Sequence, residues 1–456
     1  MLNYIWLALI GLAVLLGGFT GKISEINKAA IDSANTAVTL ALGLIAVMTL
    51  WLGLMRLADK AGLVNRLGLA LKPIMVWLFP EVPPNHPAMG AIILNVAANI
   101  LGLNNAATPL GLRAMSELEK LNKRPGVATN AMCMLLAINT SSITLIPVTV
   151  IGVLALAHSK NPTSIIGTSL AATLVAHAAA IGTCKLLERS RFYRLPPIEE
   201  KVATIFPPEK IDAAATATIS EGQKVEEKAQ RTDEALPWIP YAGWILAAVG
   251  GLFLATLLVT AFPEIIRQTP SPEEASHFFL LRLVNALSLL AIPWLILFFP
   301  LYAALRRVPV YEEFVEGGKE GFHVILRVFP YIVGMLVAVG MFNASGGMAI
   351  LTKLLHPVTN FLHFPSELVP IALIRPFNSI AALAFLTEII KQGPDTLIAL
   401  TGATLYGCSE TTFYVIAVYF GSVNVRKTRH AIPAGLVADV IGPIASVLVC
   451  RAAFGG

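Results

Sequence analysis

Residues 402–421 read GATLYGCSETTFYVIAVYFG, an apolar run of membrane-spanning length with polar groups at its centre. Glu410 lies in the middle of the run, between Ser409 and Thr411. A carboxylate at the centre of a bilayer costs at least about 2.5 kcal/mol, even on permissive insertion scales. Such a group must face a protein cavity, pair with a cation or carry a proton. The run therefore predicts a transmembrane helix that is interrupted at its polar centre, where freed backbone groups can act as ligands.

The composition of the whole chain is that of an integral membrane protein. Of its 456 residues, 56% are hydrophobic and 13% are charged, whereas soluble domains are about 25% charged. The formal net charge of +5 fits basic cytoplasmic loops rather than nucleic-acid binding. The four cysteines lie far apart, and no CxxC, zinc, Walker A or GxSxG motif occurs. We therefore expect neither an enzyme nor a bound metal or other cofactor, and no nucleic-acid partner.

Apolar segments of membrane-spanning length recur along the chain. They lie at about 2–19, 37–55, 128–157, 164–184, 239–262, 279–305, 324–342, 396–422 and 431–450. Residues 88–112 and 368–390 are apolar but rich in Asn, Pro and Gly, which predicts re-entrant hairpins that line a cavity. Residues 62–79 and 346–363 are amphipathic and predict helices along the membrane interface.

The charged residues give an orientation for these segments. Most of the 33 Lys and Arg residues fall on one side of the membrane if the N-terminus is cytoplasmic. The first segment lacks a basic n-region and a clear cleavage site, so we interpret it as a retained helix and not a signal peptide. Residues 187–236 mix both charge signs and include the low-complexity run AAATATIS, which predicts a polar, largely disordered cytoplasmic linker.

The two halves of the chain resemble each other. RLADKAGLVNRLGLALKPIMVWLF (56–79) aligns with GMFNASGGMAILTKLLHPVTNFLHF (340–364), and MCMLLAINTSSITLIPV (132–148) aligns with the region around 404–418. Basic residues flank opposite ends of the two copies, so we predict inverted repeats whose broken helices meet near the midplane, as in many secondary transporters. The alternative is two ancient helical hairpins that are retained for packing alone.

Longer motifs resemble a known family. HPAMGAIILNVAANILGLNNAATPLGLRAM (86–115) and TNAMCMLLAINTSSITLIPVTV (129–150) resemble spore maturation protein A. LIRPFNSIAALAFLTEI (373–389) and GCSETTFYVIAVYFGSVNVRKTRHAIPAGLVAD (407–439) resemble spore maturation protein B. Both belong to the nucleoside-recognition (Gate) family, whose domains also occur in concentrative nucleoside transporters and in the membrane part of ferrous iron transporter B. The resemblance implies a bacterial inner-membrane protein linked to spore-core dehydration.

This resemblance covers nearly all of the chain except the linker, and it suggests four segments. These are a spore maturation A-like first repeat (1–186), the polar linker (187–236), connecting transmembrane helices (237–310) and a spore maturation B-like second repeat (311–456). The predicted fold class is an all-α polytopic membrane protein with two inverted repeats, re-entrant hairpins, broken helices and extra helices.

Polar residues of both copies predict one substrate- or ion-binding site. Glu410 suits a substrate amine or hydroxyl, or a coupling H⁺ or Na⁺, and its alternative is an ion pair with Arg375. Arg375 precedes a proline and should lie at a helix break, where it could hold an anionic group or neutralise Glu410 or Glu388. The amides of the first copy suit a neutral cavity lining, and their alternative is interhelical contact worth about 0.6 kcal/mol each. The predicted site comprises Glu410, Ser409, Thr411, Asn139, Thr140, Ser141, Asn95, Asn99, Asn105, Arg375 and Asn378.

Two further ionisable residues lie within apolar segments. Asp439 is expected to pair with Arg429 or Lys427, with a proton relay as the alternative. His177 is expected to be a packed, hydrogen-bonded histidine, and proton coupling is its alternative role.

These features favour a secondary transporter or permease that moves a small polar solute by alternating access, with H⁺ or Na⁺ as a further ligand. The expected location is the bacterial inner membrane with the N-terminus in the cytoplasm, and the sequence leaves homo-oligomerisation open. The alternatives are a non-transporting scaffold in envelope or spore-maturation processes and a lipid-handling protein with a lateral groove.

Overall fold

The computed structural model describes residues 2–102, 104–193, 238–262, 265, 279–361 and 364–455. Within these ranges the regular elements are helices, with one isolated bridge between Val127 and Lys427. The helices of the first half are α1 (Leu2–Thr20), α2 (Ile23–Lys60), α3 (Leu63–Leu78), α4 (Pro87–Leu101), α5 (Asn104–Lys120), α6 (Asn130–Thr140), α7 (Val148–Leu156) and α8 (Ile165–Glu188). Those of the remainder are α9 (Ala242–Ala261), α10 (Phe279–Leu305), α11 (Val310–Ala344), α12 (Gly347–Phe361), α13 (Val369–Ile374), α14 (Ser379–Lys391), α15 (Leu397–Gly407), α16 (Thr412–Gly421) and α17 (Ala431–Phe454). The all-helical fold class is confirmed.

Five helices in the described ranges are long and apolar enough to cross a membrane. They are α2, α8, α9, α17 and the Ala286–Leu305 part of α10. The Val310–Leu326 and Val328–Ala344 parts of α11 meet at a bend of 41° and make a sixth span if they are taken together. The chain is therefore a multi-pass membrane protein, as its composition predicts.

The two longest helices, α2 and α11, extend beyond the apolar segments predicted within them. Ion pairs join the end of α2 to the start of α11, with Arg56 Nε 2.7 Å and Lys60 Nζ 2.6 Å from the Glu313 carboxylate. These charged ends lie outside the apolar runs. A hydropathy pattern alone therefore predicts both helices to be shorter than they are.

Glycines allow α2 and α11 to pack backbone against backbone. A Cβ atom at Gly317 would lie 2.6 Å from the Leu52 carbonyl oxygen, and one at Gly321 would lie 2.8 Å from the Met48 carbonyl oxygen. Further along, a Cβ atom at Gly340 would overlap the Ser33 hydroxyl. The order of these contacts makes the two helices antiparallel, and the small residues permit an approach that side chains would prevent. We call this contact the glycine seam.

Each predicted hairpin consists of two helices joined by a short connection. In the first, α4 ends at Gly102, whose φ of 75° is a left-handed conformation that glycine adopts without steric cost. In the second, α13 ends before Arg375 and α14 begins after Asn378. The predicted amphipathic segments are the helices α3 and α12.

The predicted linker begins later than expected. Leu187 and Glu188 still belong to α8, where Glu188 lies 3.6 Å from Lys185 in the last turn. Residues 194–236 of the linker lie outside the described residues.

Two helices are interrupted in the middle, as the sequence predicts. Residues 141–147 separate α6 from α7, and residues 408–411 separate α15 from α16. By these helix ends, Ser141 corresponds to Cys408, because each is the C-cap of its first half-helix.

The loops at the outer ends of the broken helices bind each other. Before α6, the Ala128 N–H donates to the Lys427 carbonyl oxygen at 3.0 Å, and the Arg426 N–H donates to the Gly126 carbonyl oxygen at 2.9 Å. After α7, the Ser159 hydroxyl donates to Asp395, before α15, at 2.6 Å. The start of each broken helix thus lies beside the end of the other.

Candidate functional site

The two interruptions touch each other at the centre of the fold. The Glu410 N–H donates to the carbonyl oxygen of Thr140 at 3.0 Å, so the last residue of α6 holds the break between α15 and α16. Three residues later, the Phe413 N–H donates to the Pro376 carbonyl oxygen at 3.0 Å. The second hairpin and both broken helices therefore meet at one point.

Arg375 organises the second interruption from inside. Its Nε donates to the Tyr406 carbonyl oxygen at 3.2 Å, its Nη1 donates to Thr411 Oγ1 at 3.1 Å, and its Nη2 donates to the Ser409 carbonyl oxygen. The guanidinium also lies 4.5 Å from the centre of the Tyr406 ring. Arg375 thus binds both sides of the interruption, which is a geometry that the planar guanidinium fork can satisfy.

Glu410 differs from Arg375 in its exposure. The nearest oxygen of the Glu410 carboxylate, Oε2, lies 4.0 Å from Arg375 Nη2, at the outer limit of an ion pair. The Glu410 side chain is 47% exposed and the Arg375 side chain 6%. The carboxylate therefore points to an accessible space while it stays within reach of a buried cation. Arg375 does not neutralise Glu388, which pairs with Lys391 at 2.8 Å.

The amides of the first copy bind one another. Asn139 Nδ2 donates to Asn95 Oδ1 at 2.9 Å, and Asn99 Nδ2 donates to Asn139 Oδ1 at 2.9 Å. Tyr419, on α16, donates its hydroxyl to Asn139 Oδ1 at 3.2 Å. In this conformation the amides make the interhelical contacts that the sequence allowed as the alternative to a cavity lining. We call Asn95, Asn99, Asn139 and Tyr419 the amide cluster.

Sequence reasoning missed Tyr419, which lies in an apolar run without a polar neighbour. One signal was available in the partner helix, because α5 carries Gly111 where the tyrosine packs. A Cβ atom at Gly111 would overlap the Tyr419 hydroxyl.

The hydroxyls that follow the amide cluster turn back onto their own helix. Thr140 Oγ1 and Ser141 Oγ both lie within hydrogen-bond distance of the Ala137 carbonyl oxygen, at 3.1 and 2.6 Å. Ser141 Oγ also lies 2.9 Å from His177 Nδ1 on α8. His177 is therefore the packed, hydrogen-bonded histidine that the sequence predicts.

Of the two remaining predicted site residues, one caps a helix, and the side chain of the other is not described. Asn378 is the N-cap of α14, where its Oδ1 accepts the Ala381 N–H at 2.7 Å, a role that stabilises the helix start. The side chain of Asn105, at the start of α5, lies outside the described residues.

Asp439 does not form the ion pair with Arg429 that the sequence predicts. Neither of its carboxylate oxygens has a hydrogen-bond partner among the described protein groups. Arg429 instead donates to the carbonyl oxygens of Tyr193 and Ala128, at 2.8 and 3.0 Å. The expected pair fails because Arg429 faces the loops, whereas Asp439 faces the second interruption. In the described ranges no group of three or more His, Cys, Asp or Glu side chains could hold a metal ion.

Comparisons with known proteins identify the family of the chain. Residues 41–157 match the family model Gate, described as nucleoside recognition. The chain is 42% identical over 194 residues to spore maturation protein A of Bacillus subtilis (strain 168), which is 42% of this chain and 97% of that protein. It is 43% identical over 176 residues to spore maturation protein B of the same organism, which is 38% of this chain and 99% of that protein. No solved structure matches the chain significantly. The chain thus belongs to the nucleoside-recognition (Gate) family and is related to spore maturation proteins A and B.

Proposed function

We propose that the protein is a secondary transporter or permease that moves a small polar solute across the membrane by alternating access. The observation that carries this proposal is the hydrogen bond between the Glu410 N–H and the Thr140 carbonyl oxygen, which joins two interrupted helices at their breaks. Unwound segments deep in a membrane protein are tolerated only where protein or a water-filled cavity surrounds them, and transporters use them as binding sites.

The order and direction of the elements support an inverted repeat. Each half runs from a long helix through an amphipathic helix and a helical hairpin to a broken helix and a last helix. The loop contacts at Gly126–Arg426 and Ser159–Asp395 put the start of each broken helix beside the end of the other. The long helices α2 and α11 are antiparallel along the glycine seam. Two copies in opposite directions around one centre give a site that can open alternately to either side.

The charges at the two ends support an orientation. Lys123, Arg124, Arg426 and Lys427 accompany the loops before α6 and after α16, whereas the opposite loops carry Lys160 beside Asp395. The positive-inside rule puts the basic end in the cytoplasm, which also leaves the N-terminus there. We propose the bacterial inner membrane as the location.

The chemistry of the centre favours a solute with an amine or hydroxyl group. Glu410 offers a half-exposed carboxylate, while the Ser409 carbonyl and the Thr411 hydroxyl are already bound to Arg375. Because Arg375 is committed to the backbone of the break, Glu410 is the group with spare capacity for a ligand. A transport role with no catalytic step suits this arrangement, and H⁺ or Na⁺ is the proposed coupling ion.

Thermal unfolding of the purified protein tests the proposal. Melting temperatures are measured with nucleosides, dicarboxylates, amino acids and metal ions, since a ligand that binds the folded state raises the transition by mass action. At least one solute class should raise the melting temperature of the wild type, and Glu410→Gln should lose that rise while keeping its ligand-free melting temperature.

Glu316→Gln is the matched control, because Glu316 is a carboxylate of similar exposure (51%) that pairs with Lys319 on the outer part of α11. It should keep the ligand response. If no class shifts the wild type, or if Glu410→Gln responds as the wild type does, a non-transporting scaffold becomes the better interpretation.

A further inference from the structure

One face of α17 lies against the second interruption. Gly435, Asp439, Gly442 and Ser446 follow one another at helical spacing and share this face. A Cβ atom at Gly435 would lie 2.8 Å from Thr412 Cγ2, and one at Gly442 would lie 3.0 Å from the sulfur of Cys408. The Ser446 hydroxyl lies 3.5 Å from the same sulfur. Asp439 is therefore located between two close contacts that press α17 onto the break.

The polar groups at this contact are buried and unpaired. Asp439 is 7% exposed, and neither of its carboxylate oxygens has a hydrogen-bond partner among the described protein groups. Thr412, the first residue of α16, is fully buried, and its hydroxyl also lacks a partner among those groups. The two side chains are close enough to interact, without a hydrogen bond of normal geometry. Two elements thus bring spare hydrogen-bonding capacity to one place.

Charged neighbours do not compensate Asp439. Arg375, from the second hairpin, acts on it electrostatically, but the hydrogen bonds of Arg375 go to the break. Cys408, in the interruption, also interacts electrostatically with Asp439. On α8, His177 is hydrogen-bonded to Ser141.

The remaining titratable groups on the elements packed against α17 are weaker candidates for a partner that would compensate the Asp439 charge. They are Cys133 on α6, Tyr406 on α15, Glu410 in the interruption, Tyr414 and Tyr419 on α16, Cys184, Lys185 and Glu188 on α8, Cys450 and Arg451 on α17 itself, and Arg429 and His430 immediately before it. Of these, Tyr419 is bound in the amide cluster, Lys185 and Glu188 form their own pair, and Arg429 binds loop carbonyls.

An ionised carboxylate in such surroundings is unfavourable, because burial removes its hydration and no hydrogen bond or ion pair compensates the loss. A bound metal cation needs several oxygen ligands. The face of α17 and the break beside Asp439 offer glycines, the Cys408 thiol, one free hydroxyl on Thr412 and a serine that already donates to the Gly442 carbonyl oxygen. A proton needs only the carboxylate. The neutral acid then has one O–H to donate, and the Thr412 hydroxyl is a suitable acceptor.

We propose that Asp439 is a proton-binding site, protonated in this conformation, whose deprotonation is coupled to movement of α16 away from α17. Loss of the proton leaves a buried negative charge at the contact, so the ionised state favours an arrangement in which water or a ligand reaches the break. The site supplies the coupling ion of the proposed transporter. That role depends on the proposed function, but the protonation itself does not.

Infrared difference spectroscopy of the purified full-length protein tests the proposal. The wild type should show a carboxylic acid C=O band that moves on exchange into deuterium oxide and is lost on titration to alkaline pH. Asp439→Asn should lack this band. The control Glu388→Gln, which removes a carboxylate already paired with Lys391, should keep it.

Thr412→Val is a second test of the proposal, and its result does not depend on whether Asp439→Asn folds. It removes only the neighbouring hydroxyl, so the band should remain and shift in frequency. Solute-dependent melting of the same variants separates this proposal from the transport proposal, because the band is measured without any solute.

The proposal is overturned if the wild type shows no titrating band, if Asp439→Asn retains it, or if Thr412→Val leaves its frequency unchanged. Removal of the band by Na⁺ at constant pH would also overturn it, because the site would then be a cation site.

Discussion

The interruptions of the two broken helices differ in how their polar groups are satisfied. Around the first interruption, between α6 and α7, the residues are neutral, and Asn139 is bound on both sides by Asn95 and Asn99. In the second copy, a buried Arg375 ties the break together from inside while Glu410 is half exposed. The amide beside the first interruption is thus bound by neighbouring amides, whereas the second interruption exposes a charged carboxylate. Under the proposed function, the first interruption would have a structural role and the second would bind the ligand.

Replacement of Arg375 should give the largest effect on stability. Arg375→Ala leaves the Ser409 and Tyr406 carbonyl oxygens and the Thr411 hydroxyl without their donor, and we expect a loss of about 3 kcal/mol in the free energy of unfolding. Thermal unfolding in detergent measures it, with the exposed Lys319→Ala as the control. A loss below about 1 kcal/mol would mean that the second interruption does not depend on the guanidinium.

Replacement of Asn139 should give a smaller loss. Asn139→Ala removes hydrogen bonds to Asn95, Asn99 and Tyr419, and we expect about 2 kcal/mol at contacts worth about 0.6 kcal/mol each. The same unfolding measurement applies. Any ligand response should survive in this variant, and its disappearance would show that the first interruption also binds solute.

Tyr419→Phe is a finer change in the amide cluster. It removes one hydroxyl and leaves the ring, so we expect a loss of about 0.6 kcal/mol. A double-mutant cycle with Asn139→Ala should show coupling between the two positions, because they share one hydrogen bond. Additive losses would contradict the contact between the two copies.

Glu410→Gln should change stability least. Its carboxylate is half exposed and lies 4.0 Å from Arg375, so we expect a difference below about 0.5 kcal/mol in the free energy of unfolding. Ligand affinity should fall at least tenfold, so that at least about ten times more solute is needed to reach a given rise in melting temperature. A large loss of stability with unchanged affinity would reverse the roles assigned to Arg375 and Glu410.

The sequence predicted the elements better than their contacts. Apolar runs with Asn, Ser and Glu at their centres indicated both broken helices, because such groups cannot remain in a lipid-facing helix. The Arg375–Pro376 step likewise placed a helix end correctly. Asn378 precedes Ser379 and a helical pattern, and capping preferences alone could have identified it as an N-cap.

Contacts between distant elements left little trace in the chain. Tyr419 joins the amide cluster from an apolar run, and its partner depends on where α16 crosses α5. Arg429 precedes the first residue of α17 and donates to loop carbonyl oxygens, whereas Asp439 lies about two turns inside the helix. Charge and spacing therefore predicted a pair that the packing of α17 does not allow.

The glycine seam has a consequence for how the halves associate. Because α2 and α11 belong to one polypeptide, their close contact forms within a molecule and its strength does not depend on protein concentration. Dilution in detergent should leave it intact, and neither half can exchange its counterpart for one from another copy without first opening a backbone-to-backbone contact. The parts of the chain that are similar to spore maturation proteins A and B are therefore present in a strict one-to-one ratio.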